Sequence, residues 1–204
     1  MKKRSVLLEY IVKNKKNFLW IIGLFLIGMM LGIAFINYAN DTQIEEIKLY
    51  VSDLIKNIKT YDDINKTDLL AQSLTQNVLS ILLIWFLGCT IIGSIFIFVA
   101  IVYRGFSLGY TISAIIACLG IKKGCVFTIL GLVLQNIFFL PAFFILCESG
   151  IKLYNGIRKH CINLKLEVVR HTIIMVISSI VVIIASFIEV YISTNFLIFL
   201  KEFL

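Results

Sequence analysis

The side chains of this sequence that could carry chemistry are few and scattered. Glu189 is the one acid inside a long apolar run, residues 172–200. A carboxylate in hydrocarbon is costly and is by default a functional group. Yet Glu189 lies roughly 26 Å along a helix that starts at Thr172. That depth favours an interfacial ion pair or plain solvation over a proton relay, with Lys122 and Lys123 on a short connection at the same level. Gln135 and Asn136 fall mid-way along another apolar run. Their amides are expected to bond across to a neighbouring helix as modest glue, with a substrate path as the alternative. Pro141 removes a backbone donor and frees a carbonyl near Ile137, so a kink is expected there. His160 stands beside Cys161, and neither these nor His171 has the paired spacing of a metal site. The five cysteines include no CxxC; Cys118 and Cys125 flank a short loop, but nothing calls for a staple. There is no nucleophile–base set and no phosphate-binding loop. Catalysis, cofactor and metal are therefore not expected.

The elements that would position these groups follow from composition. Of 204 residues, 60% are hydrophobic and 15% charged, with one proline and a mean hydropathy of +0.98. Such a chain is not disordered, not a disulfide scaffold and not an ordinary soluble domain. The fold class it predicts is all-α: a single polytopic membrane domain, 1–204, of five transmembrane helices. The spans are placed at 18–38, 78–102, 106–121, 126–147 and 172–200. The first is uncharged and reaches roughly 31 Å, enough for the hydrocarbon core. The third reaches only roughly 24 Å, which raises a re-entrant hairpin as its alternative.

Charge decides between them. The net charge is +7, but its distribution speaks for topology rather than for nucleic acid. Residues 1–17 carry six bases and one acid, and 148–171 five bases and two acids; residues 39–76 carry four bases and seven acids. With five full spans both basic segments share the cytoplasm, as the positive-inside rule favours. The N-terminus is then inside and the acidic segment outside. Residues 1–17 read as an interfacial helix against anionic lipid, and 148–171 as a cytoplasmic elbow. Within the outside segment, 43–60 places Ile44, Ile47, Val51, Leu54 and Ile58 on one face of an amphipathic helix. That face rests on the bundle or the membrane, or it docks an extracytoplasmic partner.

Arg104 falls between the second and third spans and reads as an inside anchor. Around it the sequence runs Tyr103-Arg104-Gly105-Phe106-Ser107-Leu108-Gly109-Tyr110. Gly105 and Gly109 make a GxxxG, and Gly28 and Gly32 another, a spacing that lets helices approach closely. This stretch, followed by Leu134-Gln135-Asn136-Ile137-Phe138-Phe139-Leu140-Pro141-Ala142-Phe143-Phe144, resembles the stage II sporulation protein M family. Distant members of the wider family read PHGIFELPA there, so their His falls on Gln135 and their Glu on Phe139. Any proton-linked or transport activity of those relatives is in doubt here.

The resemblance implies a role that composition does not. Such proteins act in endospore-forming bacteria during engulfment, in the septal and engulfing membrane of the mother cell. They are regarded as noncatalytic scaffolds that hold two cell-wall hydrolases, a peptidoglycan amidase/endopeptidase and a lytic transglycosylase. The rival reading from the residues is the membrane half of a dimeric transporter worked by a cytoplasmic ATPase, its GxxxG faces supporting a homodimer. A continuous polar path would favour that rival.

Overall fold

The computed structural model describes residues 10, 12, 14–60, 66–90, 93–158 and 163–193. Every regular element among them is helical. In chain order these are α1 (Lys15–Asn37), α2 (Asp41–Thr60), α3 (Lys66–Gly88), α4 (Gly93–Leu119), α5 (Ile121–Thr128), α6 (Leu134–Arg158) and α7 (Leu164–Ile188). A π-helical turn, Ile129–Val133, joins α5 to α6, and a second, Glu189–Ser193, ends α7. Five helices are long and apolar enough to cross a membrane.

The span boundaries differ from those expected. The sequence reading put a turn at Tyr103–Gly105 and an outside segment up to residue 76. Instead α3 starts at Lys66, the turn comes at Cys89–Thr90, and α4 runs unbroken through Arg104. The polar stretch before residue 78 is thus helix, not loop. Its Ser73 and Asn77 point inward and find hydrogen-bond partners there, which is what lets a helix carry polar groups inside an apolar bundle. The run 106–121 is no short span of its own but the second half of α4. The stretch 148–171, read as a helical hairpin or elbow, is helical on both sides of a short connection: α6 continues to Arg158 and α7 begins at Leu164. His160 and Cys161 lie outside the described residues.

Helices α1 and α4 share the most extensive helix–helix contact among the described residues. Gly28 faces Val102, Gly32 faces Phe106 and Tyr110, Gly105 faces Phe25 and Met29, and Gly109 faces Met29. Residue numbers rise together along the two helices, so they run parallel. A Cβ on Gly28 or Gly109 would stand 2.9 Å from a backbone carbonyl carbon of the other helix, and one on Gly32 2.6 Å from the Tyr110 nitrogen. The two GxxxG motifs therefore pack on each other within one chain. Beside them Phe35 meets Phe106 edge-on at 5.9 Å.

Helix α6 is the central post: 56% of its apolar window is buried, against 17–28% for the other four spans. Its Phe139, Phe143 and Leu146 meet Ile21 and Phe25 of α1, Ile81 and Ile84 of α3, Ile97 and Ile101 of α4 and Val182 of α7 in one core. Outward-facing residues such as Trp20, Met30, Phe86, Ile95 and Ile180 are exposed and apolar, as lipid-facing surfaces must be. Cys89, Cys118, Cys125 and Cys147 are free thiols, so Cys118 and Cys125 form no disulfide.

The turn at Cys89 gives a direct probe of orientation. Cys89 and Cys125 are both exposed, and an N-inside arrangement puts them on opposite faces of the membrane. A membrane-impermeant maleimide applied to intact cells should label Cys125 and spare Cys89 until the membrane is opened. Partial burial raises the Cys89 thiol above its usual range. Its labelling in opened membranes should therefore speed up as pH rises, because the thiolate is the reactive form.

Candidate functional site

A polar cavity of about 150 Å³ opens inside the bundle. Helix α3 contributes Ser73, Gln76 and Asn77 to its wall, and α4 contributes Arg104, Ser107 and Thr111. The first π turn supplies Leu132, α6 supplies Asn136, and the second π turn supplies Glu189. Spacing explains the faces. Ser73 and Asn77 are four residues apart, and Arg104, Ser107 and Thr111 follow at steps of three and four, so each set shares one helix face. Both π turns meet at this cavity. A π turn inserts one extra residue and re-aims the side chains that follow it.

Arg104 is the main correction. It is no anchor at a membrane face but lies close to the midpoint of α4. Its guanidinium stacks on the Phe139 ring, 4.2 Å from the centroid, and its buried Nε has no hydrogen-bond partner. Phe139 is wholly buried, and a cation over an aromatic face is held more strongly when desolvated.

Glu189 lines this cavity. It is half-buried and accepts a hydrogen bond from the Ser73 hydroxyl. Asn77 links the same side of the cavity together, donating to Ser73 Oγ at 3.2 Å and to Ser186 Oγ at 3.1 Å. Among the described residues no ion pair joins Arg104 to Glu189. Asn136 does not bond across to another helix as expected. Its Nδ2 donates to the Leu132 carbonyl of the first π turn at 2.7 Å, while its Oδ1 is buried without a partner. The Gln135 side chain lies outside the described residues. Pro141 sits within α6, as its sequence position required.

The family follows from the same helices. A family model described as Stage II sporulation protein M matches residues 21–194. The chain belongs to the stage II sporulation protein M family. No curated protein and no solved structure matches it. The matched region takes in most of the first span, the other four whole, both GxxxG motifs and the whole cavity.

A second polar cluster lies toward the far end of α6. Glu148 is fully buried. It accepts from the Tyr10 hydroxyl and from Asn17 Nδ2 at 3.4 Å, and it pairs with Lys152 Nζ at 3.2 Å. Lys152 also stands over the Tyr10 ring, 4.3 Å from its centroid. Burial first, and then the hydrogen bond to Glu148, hold the Tyr10 phenol above its usual range, so it stays a donor. Close by, His171 is buried, with Nδ1 3.0 Å from Ser149 Oγ and Nε2 3.3 Å from the Trp85 carbonyl. Gly88 and Gly150 make room for this ring; a Cβ on Gly88 would meet its Cε1 at 2.9 Å. Neither cluster was read from the sequence, where Glu148 and His171 fell in a cytoplasmic helical hairpin or elbow.

The candidate outside face is described only in part. Ile44 and Ile47 are half-buried while their neighbours Glu45, Glu46, Lys48 and Tyr50 are exposed, and α2 touches α4. The side chains of Val51, Leu54 and Ile58 lie outside the described residues.

Proposed function

We propose that this protein is a noncatalytic scaffold that gathers cell-wall hydrolases, an amidase/endopeptidase and a lytic transglycosylase, at the septal membrane during spore engulfment. Membership of the stage II sporulation protein M family over residues 21–194 carries the reading. A sporulation-related membrane protein with a packed apolar core and an amphipathic helix between spans suits such work. It requires a rigid frame and an exposed surface, and no reaction. The acidic α2, between the first and second spans, is the natural surface for enzymes facing the wall.

The test is capture of N-terminally tagged protein from gently solubilised sporulating cells, with bound proteins identified by mass spectrometry. Both hydrolases should be recovered. Ile47→Asp combined with Val51→Asp should leave insertion intact and cut their recovery roughly tenfold, the effect of losing about 1.4 kcal/mol of binding. Full recovery with the double variant would remove α2 from the docking surface. The cavity around Arg104 and Glu189 favours a second reading, the membrane half of a transporter. Recovery of a cytoplasmic nucleotide-hydrolysing subunit in place of the wall enzymes would select it.

A further inference from the structure

We propose that the intramembrane cavity is a binding site for a small zwitterion of the amino-acid class, about the size of glycine or alanine. The site goes beyond the scaffold reading: two ionisable groups on different spans line one cavity, and the packing of α3, α4 and α6 does not need them. Ionisable groups within spans mark sites where something polar is held. Four observations fix what that is.

The first is charge. Arg104 and Glu189 line one cavity from different helices without pairing to each other. The wall is neutral in sum but carries separated ends. A simple anion or cation would leave a net charge in a poorly solvated site, which is costly. A molecule with both ends brings no net charge and meets both walls: its carboxylate goes to the guanidinium, its ammonium to the Glu189 carboxylate. The second is unmet hydrogen bonding. Asn136 is 7% exposed and its Oδ1 has no partner, nor has Arg104 Nε. Buried polar atoms of this kind ask for an occupant. An ammonium group supplies donors to the first, and a carboxylate supplies an acceptor to the second.

The third is size. A cavity of about 150 Å³ is the volume that accommodates a ligand of about six non-hydrogen atoms, as benzene shows in an engineered cavity of that volume. Glycine and alanine fit, whereas a leucine side chain or a phospholipid headgroup does not. The fourth is backbone geometry. Both π turns border the cavity, and π turns recur at functional sites.

The test is saturable binding of radiolabelled alanine to the purified full-length protein in lipid nanodiscs. Unlabelled glycine should displace it, while leucine, acetate and methylamine should each be at least tenfold poorer competitors. Glu189→Gln and Arg104→Lys should each weaken binding at least tenfold. Retention time and melting temperature serve as the check that each variant is folded. Thr111→Leu, which fills the cavity and touches neither charge, should abolish binding even if a charge variant fails to fold. Absence of saturable binding to folded wild type would overturn the proposal and leave the cavity to water. Undiminished binding by Glu189→Gln, or displacement by acetate as good as by glycine, would overturn it in favour of an anion site.

Discussion

Gly105→Leu is expected to abolish stable accumulation of the protein. The glycine faces the backbone of Phe25 and Met29, and a Cβ there would lie 3.0 Å from the Met29 nitrogen. Backbone cannot rotate away as a flexible side-chain end can. Relief requires separating α1 from α4, which dismantles the most extensive helix contact among the described residues. Overpacking a tight core costs typically about 1–3 kcal/mol, and a whole isobutyl group against main chain belongs at or beyond the upper end. Gly23→Leu is the matched control, because a Cβ there meets nothing within 4 Å. Detergent-solubilised fluorescence size-exclusion after a heating series separates the two. Gly23→Leu should give the wild-type peak, and Gly105→Leu a lost or strongly destabilised one. Equal behaviour would mean that the α1–α4 contact is not what holds these helices. The same contact bears on assembly: both GxxxG motifs are consumed within one chain, so a homodimer would have to use another face.

The second large effect is expected at Glu148. Removing the carboxylate with Glu148→Leu strands the Tyr10 hydroxyl, the Asn17 amide and the Lys152 ammonium at once. Breaking a buried pair costs about 3–5 kcal/mol. The lower figure applies here, because Lys152 is 22% exposed and regains water. Glu148→Gln retains an acceptor for Tyr10 and should cost clearly less. Thermal unfolding in detergent orders the variants, and protease sensitivity of an N-terminal tag reports whether the segment around Tyr10 has come loose. The pH dependence has a definite sign. Folding raises the Tyr10 phenol above its unfolded value of about 10. Its contribution is therefore fully present below that pH and is lost as pH climbs through the folded value. Tyr10→Phe should lack this alkaline loss. If wild type and Tyr10→Phe melt in parallel above pH 10, the phenol is not clamped by Glu148.

The apolar runs revealed the number of spans and the fold class, because hydrocarbon leaves helices as the way to satisfy the backbone in an unbroken apolar run of that length. The family was legible in the stretch from Tyr103 to Tyr110 and in the motif around Pro141. Boundaries were not. Lys66, Asp68 and Gln76 look like loop residues, and Arg104 looks like an anchor, when each is judged by its own transfer cost. The fold lowers that cost by pooling it. Phe139 covers the guanidinium, Ser73 bonds Glu189, and Asn77 bridges α3 to α7. A sharper signal was present. Ser73 with Asn77, and Arg104 with Ser107 and Thr111, repeat at helical spacing on otherwise apolar helices, which marks an inward polar stripe. The π turns left no such trace, since nothing in Ile-Leu-Gly-Leu-Val or Glu-Val-Tyr-Ile-Ser distinguishes them from ordinary helix.

The parallel glycine contact also sets how freely this protein can vary in evolution. The register of α1 on α4 is written in four glycines and the main chain opposite them, not in the length of the chain between. Everything from Tyr38 to Thr90 leaves the pair and returns to it, crossing the membrane once on the way. Insertions or losses near residues 61–65, between α2 and α3, leave every glycine opposite its partner. The segment between the first two spans can thus be remodelled while the glycine seam stays fixed.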